Sequence, residues 1–213
     1  DINRPGQTYA YLVRSPHAHA TINSVDIAAA KTAPGVVGVF VGQDLLDDAV
    51  GGLICGASVT GKGGEVNKTP PRNVLTMDKA RFVGDPIVVV IAETLAQAKD
   101  GAEMVAIDYT ELPSTVSTSG ADADGAPLLH EECPNNVALD WELGDKAAVD
   151  AAFASAAKTA EVELVNNRMV TNAMEPRAAV GEYNSGTDET TLYLTSQNPH
   201  VHRLVMSAFM NIA

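Results

Sequence analysis

The chain has 213 residues, of which 14 are Lys or Arg and 27 are Asp or Glu, so its formal net charge at pH 7 is −13. This acidic balance argues against nucleic acid as a ligand, because phosphate backbones attract basic surfaces. Apolar residues make up 46% of the chain and aromatic residues only 5%, so small aliphatic side chains must fill the core of a globular fold. The longest uninterrupted apolar run, residues 87–92, is too short to span a membrane.

The cysteines and the N-terminus indicate a cellular compartment. Cys55 and Cys133 are the only cysteines and form no CxxC pair, which argues against an iron–sulfur cluster or a structural zinc site held by this chain alone. No basic stretch followed by an apolar stretch opens the sequence, so no secretory signal is visible. We therefore predict free thiols and a cytoplasmic location.

The first forty residues predict a β-β-α-β arrangement. Alternating polar and apolar residues favour strands over 7–14 and 21–26, which we expect to pair with each other. An Ala-rich stretch that ends at Pro34-Gly35 predicts a short helix over 27–32. The apolar run 36–41 then predicts a buried strand.

A second α/β unit follows an irregular excursion over residues 51–71. Gly84-Asp85-Pro86 predicts a turn into a fully buried strand over 87–92. A helix over 94–103 and a strand over 104–109 complete the unit.

The composition changes after this unit. Residues 114–134 are rich in Ser, Gly, Asp and Pro, which is typical of a linker. Beyond it the patterns predict a strand over 137–143, a helix over 146–157 and three strands over 161–170, 177–183 and 190–195. Asn184-Ser185-Gly186 favours a hairpin between the last two strands.

The last predicted element is a helix that begins at Pro199 and continues to the end of the sequence without a C-cap. A three-stranded sheet with one helix has no covering layer, so we expect the chain to be a fragment. The predicted organisation is a first domain over 1–118, a linker over 119–136 and an incomplete second domain over 137–213.

Most short motifs favour a structural interpretation. Residues 56–63 (GASVTGKG) nearly match a phosphate-binding loop, but Gly63 replaces the Ser or Thr that would bind magnesium and no helix is predicted to follow. Two histidine pairs, 17 with 19 and 200 with 202, have no third metal ligand, so we expect structural histidines. The acidic pairs 122 with 124 and 131 with 132 lie in the polar linker, where solvated charge is expected.

The roles of two further groups of residues are less clearly indicated by the sequence. Glu175 and Arg177 flank Pro176 beside an apolar stretch, and we expect them to form a structural ion pair, because burial of either charge alone is costly. Gln197 places a side-chain amide beside the Pro-initiated helix, whose N-terminus favours anionic groups. From its residue type alone, the favoured interpretation of Gln197 is an ordinary loop residue.

Three stretches together resemble the molybdenum hydroxylase large subunits, the family of xanthine dehydrogenase, aldehyde oxidase and aerobic carbon monoxide dehydrogenase. They are residues 11–45 (YLVRSPHAHATINSVDIAAAKTAPGVVGVFVGQDL), 80–113 (ARFVGDPIVVVIAETLAQAKDGAEMVAIDYTELP) and 174–183 (MEPRAAVGEY) with 195–203 (TSQNPHVHR). The resemblance implies an α+β fold, with an α/β-hammerhead domain followed by the beginning of a molybdopterin-binding domain.

The resemblance also implies chemistry. The family oxidises or hydroxylates small molecules at a molybdenum bound to molybdopterin, here expected in the cytosine dinucleotide form. Iron–sulfur clusters and FAD reside on partner subunits, a small iron–sulfur subunit and a medium FAD-binding subunit. The MEPRAAV stretch favours the carbon monoxide dehydrogenase-like branch, although the substrate stays open among carbon monoxide, aldehydes, xanthine and other N-heterocycles.

One site residue carries over. Gln197 matches the glutamine that, in the family, hydrogen-bonds the apical oxo ligand of molybdenum. The family's catalytic glutamate and glycine-rich cofactor loops have no match in these residues, so we expect the 213-residue chain itself to be inactive and to bind no cofactor. The alternative is a non-catalytic protein-interaction module derived from the family.

Overall fold

The computed structural model describes residues 2–166, 169–170 and 172–212. In chain order the strands are β1 (Tyr9–Arg14), β2 (Ala20–Asp26), β3 (Val36–Val41), β4 (Lys79–Ala80), β5 (Pro86–Ala92), β6 (Ala106–Glu111), β7 (Ala179–Asn184) and β8 (Glu189–Leu194). The helices are α1 (Ala28–Lys31), α2 (Gly42–Asp47), α3 (Leu95–Glu103), α4 (Lys146–Ser155) and α5 (Pro199–Met210). The mixed content confirms the α+β class.

Two antiparallel three-stranded sheets form the first part of the fold, in the orders β1-β5-β3 and β4-β2-β6. The prediction that β1 and β2 pair with each other is wrong, because β1 pairs with β5 and β2 pairs with β4 and β6. The apolar strand β5 takes the centre of the first sheet and needs a partner at each edge, and β1 supplies one of them.

Small aliphatic side chains fill the core, as the composition predicts. Ile87, Val88 and Val90 of β5 are at most 1% exposed. They pack with Ile22, Ala30, Val39 and Ala102, which come from four other elements. The buried apolar strand predicted over 87–92 is thus confirmed as the centre of the core.

Helix α3 lies close to this core. The Thr94 hydroxyl accepts a hydrogen bond from the Gln97 N–H at 3.2 Å and caps the helix N-terminus. Gly101 lies so close to β3 and β5 that a Cβ atom there would lie 2.8 Å from Val36 Cγ2 and 3.2 Å from Val90 Cγ1. The glycine therefore sets the distance between the helix and the sheet.

The segment predicted as a linker has almost no regular secondary structure, yet it is fastened to the first part. Arg81 Nε donates to the Leu129 carbonyl at 2.9 Å, and Lys79 Nζ donates to Glu131 Oε1 at 2.7 Å. The Asn136 amide donates to the Ala121 and Pro127 carbonyls and accepts from the Leu129 N–H. Its composition resembles that of a flexible linker, but its backbone is held by specific side chains.

Two predicted strands do not form. Residues 137–143 instead lie along the excursion, where the Lys62 N–H donates to the Asp140 carbonyl and the Lys68 N–H donates to the Ala138 carbonyl, both at 2.8 Å. Of the strand predicted over 161–170, the described positions 161–166 and 169–170 are not in a strand, and 167–168 lie outside the described residues. Within the described part of the chain, the expected three-stranded sheet has only two strands, β7 and β8. The predicted hairpin between these two strands is confirmed.

Helix α5 ends in a cap, contrary to the prediction. Asn211 adopts a left-handed conformation with φ of 53°, and the Ile212 N–H donates to the Ser207 carbonyl at 3.1 Å. The Ser207 hydroxyl donates in turn to the Ile212 carbonyl at 2.6 Å. No helix in the part of the chain that the structure describes has the length and hydropathy needed to cross a membrane.

Candidate functional site

Gln197 lies in the short connection between β8 and α5. Its residue is exposed, and its side chain makes no hydrogen bond with any residue among 2–166, 169–170 and 172–212. A primary amide has two N–H donors and a carbonyl acceptor. Gln197 can therefore offer hydrogen-bond donors to a group outside these residues.

The backbone around Gln197 is held by its neighbours. The Ser196 hydroxyl accepts from the Asn198 N–H at 3.0 Å and shares a hydrogen bond of 2.6 Å with His202 Nδ1. Asn198 caps α5, since its Oδ1 accepts from the Val201 N–H at 3.4 Å, and Pro199 occupies the first helical position. These contacts fix the residues on both sides of Gln197.

A groove of about 330 Å³ separates β8 from α5. Leu192 and Leu194 line it from β8, and Met206 and Met210 line it from α5. Arg203 also lies on the groove, one helical turn beyond Pro199. The site thus combines an amide donor with a mainly apolar groove beside it.

The histidines of the first part have structural contacts. His17 Nδ1 lies 3.1 Å from Glu111 Oε1, and its ring meets Tyr109 edge-on at 4.8 Å. His19 is buried, and its Nδ1 lies 2.7 Å from the Pro113 carbonyl oxygen. Both histidines contact β6 or the residues after it, which agrees with the structural role predicted for them, but Nε2 of His19 is buried without a hydrogen-bond partner among the described residues.

The predicted ion pair between Glu175 and Arg177 is wrong. Both residues are exposed, and neither makes a salt bridge with any residue that the structure describes. Burial was the reason for expecting a pair, and these exposed side chains retain water instead.

The acidic pairs and the glycine-rich loop likewise carry no visible chemistry. Lys79 donates to Glu131 and lowers the pKa of that carboxyl group to about 2, so Glu131 stays ionised and serves as an ion-pair partner. Asp122 and Asp124 are exposed. A single 3₁₀ turn spans Lys62–Gly64 and Glu65 after it is extended, so no α-helix N-terminus follows the loop to bind a phosphate.

A resident metal would need support other than a side-chain cluster. In the described stretches of the chain, no group of three or more His, Cys, Asp or Glu residues is placed to hold a metal ion. The contact that these residues can make with a bound metal complex is hydrogen bonding from an amide, and the unpaired Gln197 side chain fits that task.

Two contacts escaped the sequence analysis. The bond between Ser196 and His202 joins residues six positions apart across a helix start, a spacing that could have suggested it. The second joins Arg4 to Glu182, 178 positions further along the chain, and to Tyr193 beyond it. No local pattern signals a contact at that separation.

Comparison with known proteins identifies the class of protein. Residues 1–113 match the family model described as "Aldehyde oxidase and xanthine dehydrogenase, a/b hammerhead domain", and residues 129–213 match "Molybdopterin cofactor-binding domain". The chain belongs to the aldehyde oxidase and xanthine dehydrogenase family. Within that family, its residues form the α/β-hammerhead domain followed by the beginning of the molybdopterin-binding domain.

Its similar proteins are large subunits of this family. The chain is 32% identical to the nicotine 6-hydroxylase large subunit of Paenarthrobacter nicotinovorans, over 99% of this chain and 25% of that protein. It is 32% identical to the carbon monoxide dehydrogenase large chain of Afipia carboxidovorans, over 97% of this chain and 26% of that protein. The structure of reconstituted CO dehydrogenase from Oligotropha carboxidovorans matches with a TM-score of 0.86 and 30% identity, covering 100% of this chain and 26% of that one. The chain spans about a quarter of the length of these relatives.

Proposed function

We propose that the chain is part of the large subunit of a molybdenum-dependent hydroxylase or dehydrogenase, and that Gln197 faces the molybdenum centre. The observation that supports this role is the exposed Gln197 amide, which is unpaired among the described residues and lies within the segment that matches the molybdopterin-binding domain. The bound molybdenum cofactor would supply the oxidation or hydroxylation chemistry. Gln197 would donate a hydrogen bond from Nε2 to an oxygen ligand and so orient it.

The neighbours of Gln197 support this geometry. Ser196 and Asn198 hold the backbone on either side, so the position of the Gln197 Cα is fixed relative to the start of α5. The N-terminus of α5 adds partial positive charge close to Gln197, which favours an anionic or oxygen-rich ligand.

The finer assignments are part of the same proposal. We propose the cytosine dinucleotide form of molybdopterin, an iron–sulfur small subunit and an FAD-binding medium subunit as partners, and a cytoplasmic location. The substrate is carbon monoxide, an aldehyde or an N-heterocycle. The two relatives named above, a nicotine 6-hydroxylase and a carbon monoxide dehydrogenase, are equally identical to the chain and do not separate these classes.

The test is Gln197→Ala in the longer large subunit loaded with its cofactor. We expect turnover to fall about 10- to 100-fold, as for other residues that orient a metal's ligands, with an unchanged melting temperature. His200→Ala is a matched control, because His200 is also exposed and lies three residues away. Unchanged turnover and an unchanged molybdenum spectrum in Gln197→Ala would remove Gln197 from the site.

A second candidate is a non-catalytic interaction module. Apolar side chains are unusually exposed between α4 and β7, with Leu164 at 82%, Val165 at 80% and Met174 at 102%. Such a run favours a contact with another protein surface. Intact mass and molybdenum content of the native protein decide between the two functions. A much heavier chain with about one molybdenum supports the enzyme, whereas a native chain of this length without molybdenum supports the module.

A further inference from the structure

The N-terminal segment places a charged side chain against the second part of the chain. Arg4, Pro5, Gly6 and Gln7 form a tight turn in which the Gln7 N–H donates to the Arg4 carbonyl at 3.1 Å. Gly6 has φ of 74°, as the third position of a type II turn requires, and Pro5 suits the second. The Arg4 N–H donates to Gln7 Oε1 at 3.1 Å. Arg4 is thereby held five residues before β1, which begins at Tyr9.

The Arg4 guanidinium makes a bidentate contact with Glu182 of the β7–β8 hairpin. Its Nε donates to Glu182 Oε2 and its Nη2 donates to Glu182 Oε1, both at 3.1 Å. It also lies over the Tyr193 ring, 5.6 Å from the centroid, and the Tyr193 hydroxyl donates to Glu182 Oε2 at 3.4 Å. Such a paired arrangement fixes orientation as well as distance. The pKa of Glu182 is lowered by the hydrogen bond from Arg4.

The strand register explains why this contact reaches both strands. Glu182 pairs with Thr191, and Val180 pairs with Tyr193, so these four side chains share one face of the hairpin. The opposite face carries Leu192 and Leu194, which line the groove against α5. Arg4 therefore contacts the face of the hairpin opposite to the one that lines the groove against α5.

A second contact holds the far end of α5. The Gly51 N–H donates to the Phe209 carbonyl at 2.8 Å. Within the described ranges, this bond and the Arg4 contact are the hydrogen bonds that join residues 179–212, here called the hairpin–helix unit, to the rest of the chain. Gln197 lies between the two, three residues after β8 and two before α5.

We propose that Arg4 is a positioning residue for Gln197, which it serves by holding Glu182 and Tyr193 so that the hairpin–helix unit has one placement against the hammerhead domain. The relevance of Arg4 to catalysis rests on the proposed function of Gln197. A cavity of about 850 Å³ lies between residues 2–10 and 178–182. Because side-chain packing does not fill this space, the Arg4 contact holds the hairpin end of the unit, while the Gly51–Phe209 bond holds the end of α5.

The test measures amide hydrogen exchange by NMR in the 213-residue chain and in Arg4→Ala. We expect exchange in β7, β8 and α5, the elements on either side of Gln197, to rise about 2- to 5-fold, the range for loss of an exposed ion pair. Exchange in β5 should not change, because that strand lies in the core of the first part. Loss of general stability alone would instead accelerate exchange in β5 as well.

Three further variants keep the test decisive. The reversed pair Arg4→Glu/Glu182→Arg should restore slow exchange, and Arg4→Lys should restore it only in part, because an ammonium group cannot make the bidentate contact. Lys146→Ala is the matched control, since it removes an exposed ion pair with Asp150 inside α4 and leaves the hairpin–helix unit untouched. Its exchange in β7 and β8 should equal that of the unmodified chain.

The two proposals fail separately. Exchange in β7, β8 and α5 that is unchanged in Arg4→Ala, or raised equally in Lys146→Ala, would overturn the positioning role whatever Gln197 does in the longer subunit. If Arg4→Ala loses protection locally and the reversed pair regains it, the positioning role is supported. That support would stand even if Gln197→Ala showed normal turnover and so overturned the proposed function.

Discussion

The Asp85 carboxylate accepts a hydrogen bond from the Thr76 hydroxyl at 2.7 Å, and its second oxygen accepts from the Arg81 N–H at 3.1 Å. Asp85 is only 7% exposed and comes directly before the central strand β5. Its carboxylate therefore ties the chain on either side of β4 to the entry of that strand.

Asp85→Ala should destabilise the chain by about 1–3 kcal/mol, because it leaves the two donors without an acceptor in a buried place. Chemical denaturation monitored by circular dichroism measures the change. Asp78→Ala is the control, since Asp78 is exposed and lies 3.6 Å from Arg81. Equal losses in the two variants would contradict the importance of the buried contacts.

Gly101→Val should destabilise the chain by about 1–3 kcal/mol, because the added atoms meet two stiff valines, Val36 and Val90. Valine has a higher helix propensity than glycine, so propensity alone would make Gly101→Val more stable and any loss reports the clash. Ala96→Val, at an exposed position of the same helix, shows the effect on the free energy of unfolding of a valine that meets no sheet residue. No difference between the two variants would mean that α3 can move away from the sheet without cost.

The contact between Lys79 and Glu131 should respond to acid. The pKa of Glu131 is lowered to about 2, first by the Lys79 hydrogen bond, so its stabilising effect is complete above the ordinary value near 4.5 and is lost as the pH falls toward 2. The melting temperature of Glu131→Gln should therefore lie below that of the unmodified chain at neutral pH and converge with it in this acidic window. Glu132→Gln, which changes the adjacent exposed carboxylate, should show no such convergence. A gap that persists at the lowest pH would contradict the assignment.

The two thiols should differ sharply in reactivity. Cys55 is exposed and Cys133 is 4% exposed, and both are free. A thiol-specific reagent should modify one cysteine in the native chain and both after denaturation. Peptide mapping should place the native modification at Cys55, and rapid modification of Cys133 would show that the segment around it opens readily.

Local patterns predicted the elements that depend on local causes. The apolar run of β5, the helix α3 and the Asn184-Ser185-Gly186 turn each reflect neighbouring residues, and each was predicted. The pairing of β1 with β5 depends on competition between distant strands, which periodicity does not report. The strand expected over 137–143 failed for a related reason, since its backbone bonds to the excursion at Lys62 and Lys68.

The candidate site likewise combines features with local causes and features that depend on distant residues. The residue type of Gln197 and its place before Pro199 are visible in the sequence, but its family resemblance was needed to give it a role. The Arg4 contact was invisible, because it joins a turn near the N-terminus to a hairpin near the other end of the chain.

The network around Asn136 has a practical consequence for anyone who wishes to produce the two parts separately. Asn136 holds residues 121, 127 and 129 with a single amide, and Lys62 lies 3.7 Å from Glu142. A cut in the Ser- and Gly-rich stretch before Asn136 would break the first network. Expression boundaries at Gly144, which has φ of 122° and open space where a Cβ would lie, would leave both networks on one polypeptide.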